Sequence, residues 1–352
     1  MAETKQAAPV IDVEKSITDI LSTIERERER EIIARRFGLF DRRETLEQIG
    51  ELLGITRERV RQLEKVVIIK LRASGEALPH VIEIQSIVID QLHKMGEAAR
   101  VSDLTAKLIK TNTRLDQSRV AFLATLCPQL TTLEENDLFY LSVGVTSIRK
   151  EKQLKADANK VVEVIKKIGE PTTIDVIAKS ANITNPKQAE ALASISKQLA
   201  TLNGRWGLVK WPMVNPKNIR DKIYVVLKEN GKQMHFSEIA EAIKKSDFKR
   251  KAVTTQAIHN ELIKDGRFVL IGRGIYALNE WGYKKGTVAD IITEVIKEAG
   301  KPLHRDEIVK RVLKSRIVKE TTVLLNLQGK SKFKRVAKAT YDLADSDKII
   351  VK

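Results

Sequence analysis

Apolar positions recur along this chain in two patterns. The first lies in TLEQIGELLGITRERVRQLEKVVIIKLR, residues 45–72. There Leu46, Ile49, Leu52 and Leu53 form one stripe, and Val60, Leu63 and Val67 form another. Steps of three and four residues put each set on one helical face. Thr45 caps the first helix, with Gln48 three residues later as in a capping box, and Thr56 caps the second. Gly50 removes bulk where two helices would cross closely, Gly54 permits a left-handed turn, and Ile55 anchors that turn. The pattern predicts a helix-turn-helix.

The second pattern is a repeat. An apolar helical stretch ends in glycine, turns, and starts a second helix, four times: residues 87–108, 161–181, 223–243 and 291–312. The aligned glycines are Gly96, Gly169, Gly231 and Gly300, and eight residues after each stands Leu104, Ile177, Ile239 or Ile308. Glycine is the usual left-handed residue just past a helix C-terminus. Each copy closes on a β-prone, aromatic-containing stretch: 137–142, 205–211, 267–282 and 333–343. In the third, Gly272-Arg273-Gly274 between two such runs predicts a tight hairpin. Helix, turn, helix, further helix and hairpin describe a winged helix-turn-helix. The predicted fold is therefore mainly α: an N-terminal helix-turn-helix followed by tandem winged helices with small β-hairpin wings. The expected division is a flexible segment at 1–24, the helix-turn-helix at 25–75, an acidic winged helix at 80–145, a linker and second winged helix at 146–211, a third at 212–283 and a fourth at 284–352.

Charge changes this picture. The 352 residues carry a formal +17, unevenly placed: residues 73–145 are net −3, whereas 146–211, 212–283 and 284–352 are +6, +5 and +8. A gradient of this kind means that some modules face a polyanion and at least one does not. On the second helix of the helix-turn-helix, Arg57, Glu58, Arg59, Arg61 and Gln62 occupy the first two turns behind Thr56. A recognition helix reads base edges from such positions: Arg can donate twice to guanine, Gln can pair with adenine and Glu can accept from the cytosine amine. The alternative for such a run is a solvated charged face. In the third winged helix, Lys249, Arg250 and Lys251 precede the expected recognition helix TTQAIHNELIK, and Arg273 sits at the wing tip. Both places reach phosphates, although the lysine-arginine run is also what a solvated turn contains.

Other chemistry is excluded on composition. One cysteine, Cys127, allows no intramolecular disulfide and no Cys-based zinc site, and five histidines lack HxxxH or HExxH spacing. No metal, cofactor or catalytic residue is expected, since no P-loop, GxSxG or paired-carboxylate motif is present. His235 and His304, each four residues after its repeat's glycine, fit a capping or packing role at a helix start rather than a ligand or switch role. The longest apolar runs fall far short of a bilayer span and the start MAETKQAAPV has no apolar signal core, so a cytoplasmic, nucleoid-associated protein with no membrane partner is expected.

Residues 25–72 resemble region 4 of sigma-70-type RNA polymerase sigma factors, above all at Phe37-Gly38-Leu39 and at TLEQIG. The resemblance covers about a seventh of the chain. It implies reading of promoter-like double-stranded DNA and docking on the flap of the β subunit of the RNA polymerase core. Arg57, Glu58, Arg61 and Gln62 align with base- and phosphate-contacting positions of that family, and Arg59 with a backbone contact. Val66-Val67-Ile68-Ile69 departs from the family's alanine- and lysine-containing helix, which suggests an additional buried surface. Only 24 residues precede the match, so the promoter-melting region of a complete sigma factor is expected to be missing, and promoter opening by this chain alone is not expected. GKQMHFSEIAEAI with GRFVLIGRGIYAL, and more weakly GKPLHRDEIVKRV, resemble the HARE-type winged helix, also found in the delta subunit of some bacterial RNA polymerases.

Overall fold

The computed structural model describes residues 12–248, 252–329 and 332–344. The chain divides into two compact units, Met1–Val209 and Lys210–Lys352. Among the described residues no helix is long and apolar enough to cross a membrane.

The first unit opens with α1 (Val13–Ser22), α2 (Glu27–Phe37), α3 (Leu46–Leu53) and α4 (Arg57–Ser74). Helix α1 corrects the expectation of a flexible segment at 1–24 for residues 13–22; residues 1–11 lie outside the described residues. Asp12 accepts from the Lys15 amide as an N-cap, and Val13, Ile17, Ile20 and Leu21 are buried. Those positions are spaced by four, three and one, an apolar stripe short enough to pass unnoticed among polar neighbours. Helices α3 and α4 have the predicted caps: the Thr45–Gln48 capping box is complete, and Thr56 accepts from the Arg59 amide at 3.2 Å. A Cβ on Gly50 would stand 2.7 Å from the Ile55 carbonyl oxygen, so close crossing at the turn depends on this glycine.

Four copies of one topology follow, helix–strand–helix–helix–strand–strand. The first is α5 (Val81–Met95), β1 (Ala98–Arg100), α6 (Val101–Leu108), α7 (Arg114–Leu126), β2 (Leu130–Leu133) and β3 (Ser142–Val145). The second is α8 (Glu151–Ile168), β4 (Thr172–Thr173), α9 (Ile174–Ser180), α10 (Pro186–Ile195), β5 (Leu199–Leu202) and β6 (Arg205–Leu208). In the second unit come α11 (Ile219–Asn230), β7 (Met234–His235), α12 (Phe236–Lys245), α13 (Thr255–Lys264), β8 (Phe268–Gly272) and β9 (Ile275–Leu278). The last is α14 (Val288–Ala299), β10 (Leu303–His304), α15 (Arg305–Ser315), α16 (Glu320–Gln328), β11 (Phe333–Ala337) and β12 (Thr340–Leu343). In every copy the last strand lies between the first strand and its hairpin partner, all antiparallel. That is the winged helix-turn-helix arrangement. The repeat glycines end α5, α8, α11 and α14 at positive φ, and Leu104, Ile177, Ile239 and Ile308 are each fully buried. His235 and His304 cap α12 and α15, each imidazole Nδ1 accepting a backbone amide.

One wing is displaced from its expected place. The first hairpin uses residues 130–133 and 142–145, and residues 137–141 of the β-prone stretch lie in the connection between those strands. Phe139 there forms an isolated bridge with Ser196 of the second copy.

The helix-turn-helix does not stand apart from the first winged helix. Its own small core is Ile32, Ile49 and Val60, but Ile33, Leu39, Val67 and Leu71 belong to a larger cluster running from Val13 to Val145. Each such side chain, fully buried, contributes about 1.5–3 kcal/mol, so α4 is held mainly from its C-terminal half.

Candidate nucleic-acid interface

The first two turns of α4 project from this anchored base. Thr56, Arg57, Glu58, Arg59, Arg61 and Gln62 are all exposed, while Val60 between them is fully buried. Helical spacing thus turns one side into the turn's core and presents the charged side outward. The helix is held in place by the pair of Arg36 Nε with Glu64 at 3.2 Å, and Arg28 donates to the Leu53 carbonyl at 2.5 Å.

Within the exposed set, partners are already chosen. Arg61 donates from Nε and Nη2 to the Glu58 carboxylate at 2.8 and 2.6 Å, and Gln62 Nε2 donates to the same group at 3.5 Å. The hydrogen bonds from Arg61 hold the Glu58 carboxyl below the usual carboxylate range, and Glu58 in turn raises the Arg61 guanidinium. Arg59 Nη1 donates to Gln62 Oε1 at 3.4 Å. Glu58 thus engages Nε–H and one Nη2–H of Arg61, leaving both Nη1 hydrogens and the second Nη2 hydrogen for another acceptor. This coupling between neighbours one turn apart is invisible in a reading that treats each side chain separately.

Beyond the first two turns, α4 shares a groove of about 510 Å³ with the first winged helix. Arg61, Lys65 and Arg72 line it with Glu134 and Glu135 of the β2–β3 connection. Exposed Val66 and Ile69 lie along the same half of the helix. A polyanion approaching there meets carboxylates as well as cations.

In a free winged helix the third helix is the one that enters a groove of DNA. In the first copy that helix, α7, is covered: Asp116, Arg119, Val120, Phe122, Leu123, Ala124 and Leu126 are buried. Phe122 meets Phe37 of α2 edge to face at 5.0 Å, and Arg119 donates to the Leu39 carbonyl at 2.8 Å and to Glu14 at 2.9 Å. In the second copy α10 packs on the first. A Cβ on Gly96 would collide with the Lys187 carbonyl at the start of α10. Glu97 accepts from Gln188 Nε2 at 2.7 Å and from Arg149 Nη1 at 3.2 Å, and Arg100 bonds the Ser194 carbonyl. The first wing completes the joint, since the Tyr140 amide donates to the Ile195 carbonyl and Lys197 pairs with Glu135. Both helices are used for packing between domains.

The third copy differs. Arg273 is exposed at the β8–β9 turn, and α13 buries only Ile258 and Leu262. Lys249, Arg250 and Lys251 lie outside the described residues. Among the described residues no group of three or more His, Cys, Asp or Glu side chains is placed to hold a metal ion.

The architecture is that of helix-turn-helix proteins, and the first of its helix-turn-helices has relatives. Residues 26–73 match the family model described as Sigma-70, region 4. The same part of the chain is similar to the RNA polymerase sigma factor SigA of a Bacillus species, 44% identical over 61 residues, covering 17% of this chain and 16% of that relative. The match thus spans about a sixth of the curated relative's length.

Proposed function

We propose that this protein is a bacterial transcription regulator that reads a promoter-like duplex through α4 and associates with core RNA polymerase. The observation that carries the reading is the exposed cluster Arg57, Glu58, Arg59, Arg61 and Gln62 on a buried, capped helix whose segment matches sigma-70 region 4. In this reading Arg57 and Arg61 donate to guanine or phosphate, Gln62 and Glu58 meet adenine or cytosine edges, and Thr56 and Arg59 hold the backbone. The polymerase contact is the flap of the β subunit, as the resemblance of residues 25–72 to region 4 implies. The third and fourth winged helices are of the HARE type, and Lys249, Arg250, Lys251 and Arg273 hold phosphates. The protein works in the cytoplasm, at the nucleoid, with no cofactor and no catalysis. The helix-turn-helix and the four winged helices expected from the sequence act as its modules.

Binding to duplexes selected from a random library tests the helix. Arg57→Ala or Arg61→Ala costs about 1–3 kcal/mol on the preferred site and less on random duplex. Equal weakening on both would reduce these arginines to phosphate contacts. A second reading, an accessory subunit that docks on polymerase and grips nucleic acid nonspecifically, draws on the basic excess of residues 210–352, with 31 Lys+Arg against 17 Asp+Glu. Copurification of core polymerase after nuclease treatment, with no preferred duplex recovered, selects that reading.

A further inference from the structure

The geometry points to a second base-reading element: α13 of the third winged helix, as a reader of A·T pairs in the major groove of duplex DNA. It rests on the proposal that this module faces DNA, and adds which bases it reads.

Three helices occupy the recognition position before α16, and two of them, α7 and α10, are spent on packing between domains within the first unit. Helix α13 presents a continuous outward stripe instead. Gln256, Asn260 and Ile263 follow at i, i+4 and i+7, all exposed, with Ile263 at 65%. Those steps keep the three side chains within about 60° of one another around the helix. Gln256 Nε2 donates to Asn260 Oδ1 at 3.2 Å, so the two amides stand side by side on one face. Asn and Gln are the side chains that bond adenine N6 and N7 with both amide atoms, and an apolar group beside them meets the thymine methyl. The exposed Ile263 beside the two amides supplies that apolar group.

Charge agrees with this occupant. The one carboxylate within α13, Glu261, is paired with Arg220 at 3.1 Å, and Asp265 just beyond its end is held by Arg267 at 2.8 Å. Lys264 is exposed on the last turn, and Arg273 is exposed at the wing tip. The face therefore offers amides and a methyl-sized apolar contact at its centre, cations at its margins and no unpaired carboxylate along the helix. Helix α16 contrasts with it: its outward stripe is Thr321, a 67%-exposed Leu325 and Gln328, a single exposed amide, while Asn326 is half-buried and donates to the Thr322 carbonyl.

The test uses full-length protein and fluorescence anisotropy on A·T-rich and G·C-rich duplexes of equal length at fixed salt. The wild type is expected to prefer the A·T duplex, and Arg57→Ala/Arg61→Ala is expected to keep that preference. Gln256→Ala/Asn260→Ala should abolish it, a loss of about ten-fold per amide, leaving composition-blind binding through phosphate contacts. A duplex with uracil in place of thymine should bind the wild type more weakly and Ile263→Ala no differently from the thymine duplex. A preference that disappears with Arg57 and Arg61 would place it on α4 and overturn the assignment. If Arg273→Ala weakens both duplexes equally while Gln256→Ala/Asn260→Ala changes nothing, DNA contact by the module stands and base reading by α13 is overturned. Both altered amides are exposed, so far-ultraviolet circular dichroism matching the wild type is expected and confirms that the losses are not unfolding.

Discussion

At the level of single side chains, the ion pair on α4 is the feature with most consequence. Glu58 accepts from Nε and Nη2 of Arg61 in the unbound protein. In the proposed contact with DNA, Glu58 competes with phosphate and base acceptors for two of the five Arg61 N–H groups and offers an acceptor to cytosine. Replacing Glu58 with Ala frees the guanidinium and removes a carboxylate facing phosphate. Binding to random duplex is expected to tighten a few-fold, and the preference for a selected site to shrink. Anisotropy on both duplexes measures this. Weakening on both would mean that Glu58 serves by positioning Arg61.

At the level of secondary-structure elements, helix ends and close crossings carry testable energy. Gly96 ends α5 at φ +92° with its Cα against the Lys187 carbonyl of α10. Gly96→Ala strains the backbone and pushes α10 away from β1. A left-handed residue with a Cβ costs about 1–2 kcal/mol before the collision is counted, so a loss of several degrees in the thermal midpoint is expected. Gly231→Ala, at a comparable φ with open space around it, should cost only the backbone part. A second element-level test concerns acid. Asp290 accepts from the Thr287 hydroxyl and amide at 2.7 and 2.8 Å and from Lys332 Nζ at 3.0 Å, which holds its carboxyl far below the ordinary value. A folded pKa below the unfolded one, about 3.9, stabilises above that unfolded value and is lost as pH falls through the folded one. The stability difference between wild type and Asp290→Ala should therefore be constant near neutrality and vanish in strong acid. A gap that widens on acidification would contradict this account of the capping box.

For the molecule as a whole, charge follows the division into two units. Residues 1–209 carry 32 Lys+Arg against 29 Asp+Glu, whereas 210–352 hold most of the +17. The natural cut for a binding experiment is thus between Val209 and Lys210. An isolated fragment of residues 73–145 would lay bare α7 and β1, which are buried by α1, α2, α4 and α10, and would report on stickiness instead of function. Each neutralised phosphate contributes about −0.9 to the slope of log affinity against log salt. The full chain should give a steep slope that residues 210–352 retain and residues 1–209 largely lose. An equally steep slope for residues 1–209 would show that net charge does not direct the molecule's contacts with DNA.

The helix-turn-helix and the four-fold repeat were legible in the chain because their signals are local. Thr45 and Gln48, Thr56, Gly50, Gly54 and the repeat glycines act within a few residues, and caps and turns depend on little else. The wing of the first repeat was misplaced because a β-prone stretch does not say whether it pairs in its own sheet or, as Phe139 does, with Ser196 of the next domain. Arg119 reads as a surface cation. It is buried because its acceptors, Leu39 and Glu14, stand 80 and 105 residues away along the chain. Nor does periodicity reveal that α7 and α10 are covered on their outer sides, since it reports which face meets a helix's own domain and not what lies against the other. The residues able to form recognition helices were written in the sequence. Which of those helices stay open to a ligand depends on contacts between residues distant in the chain, and only folding brings these together.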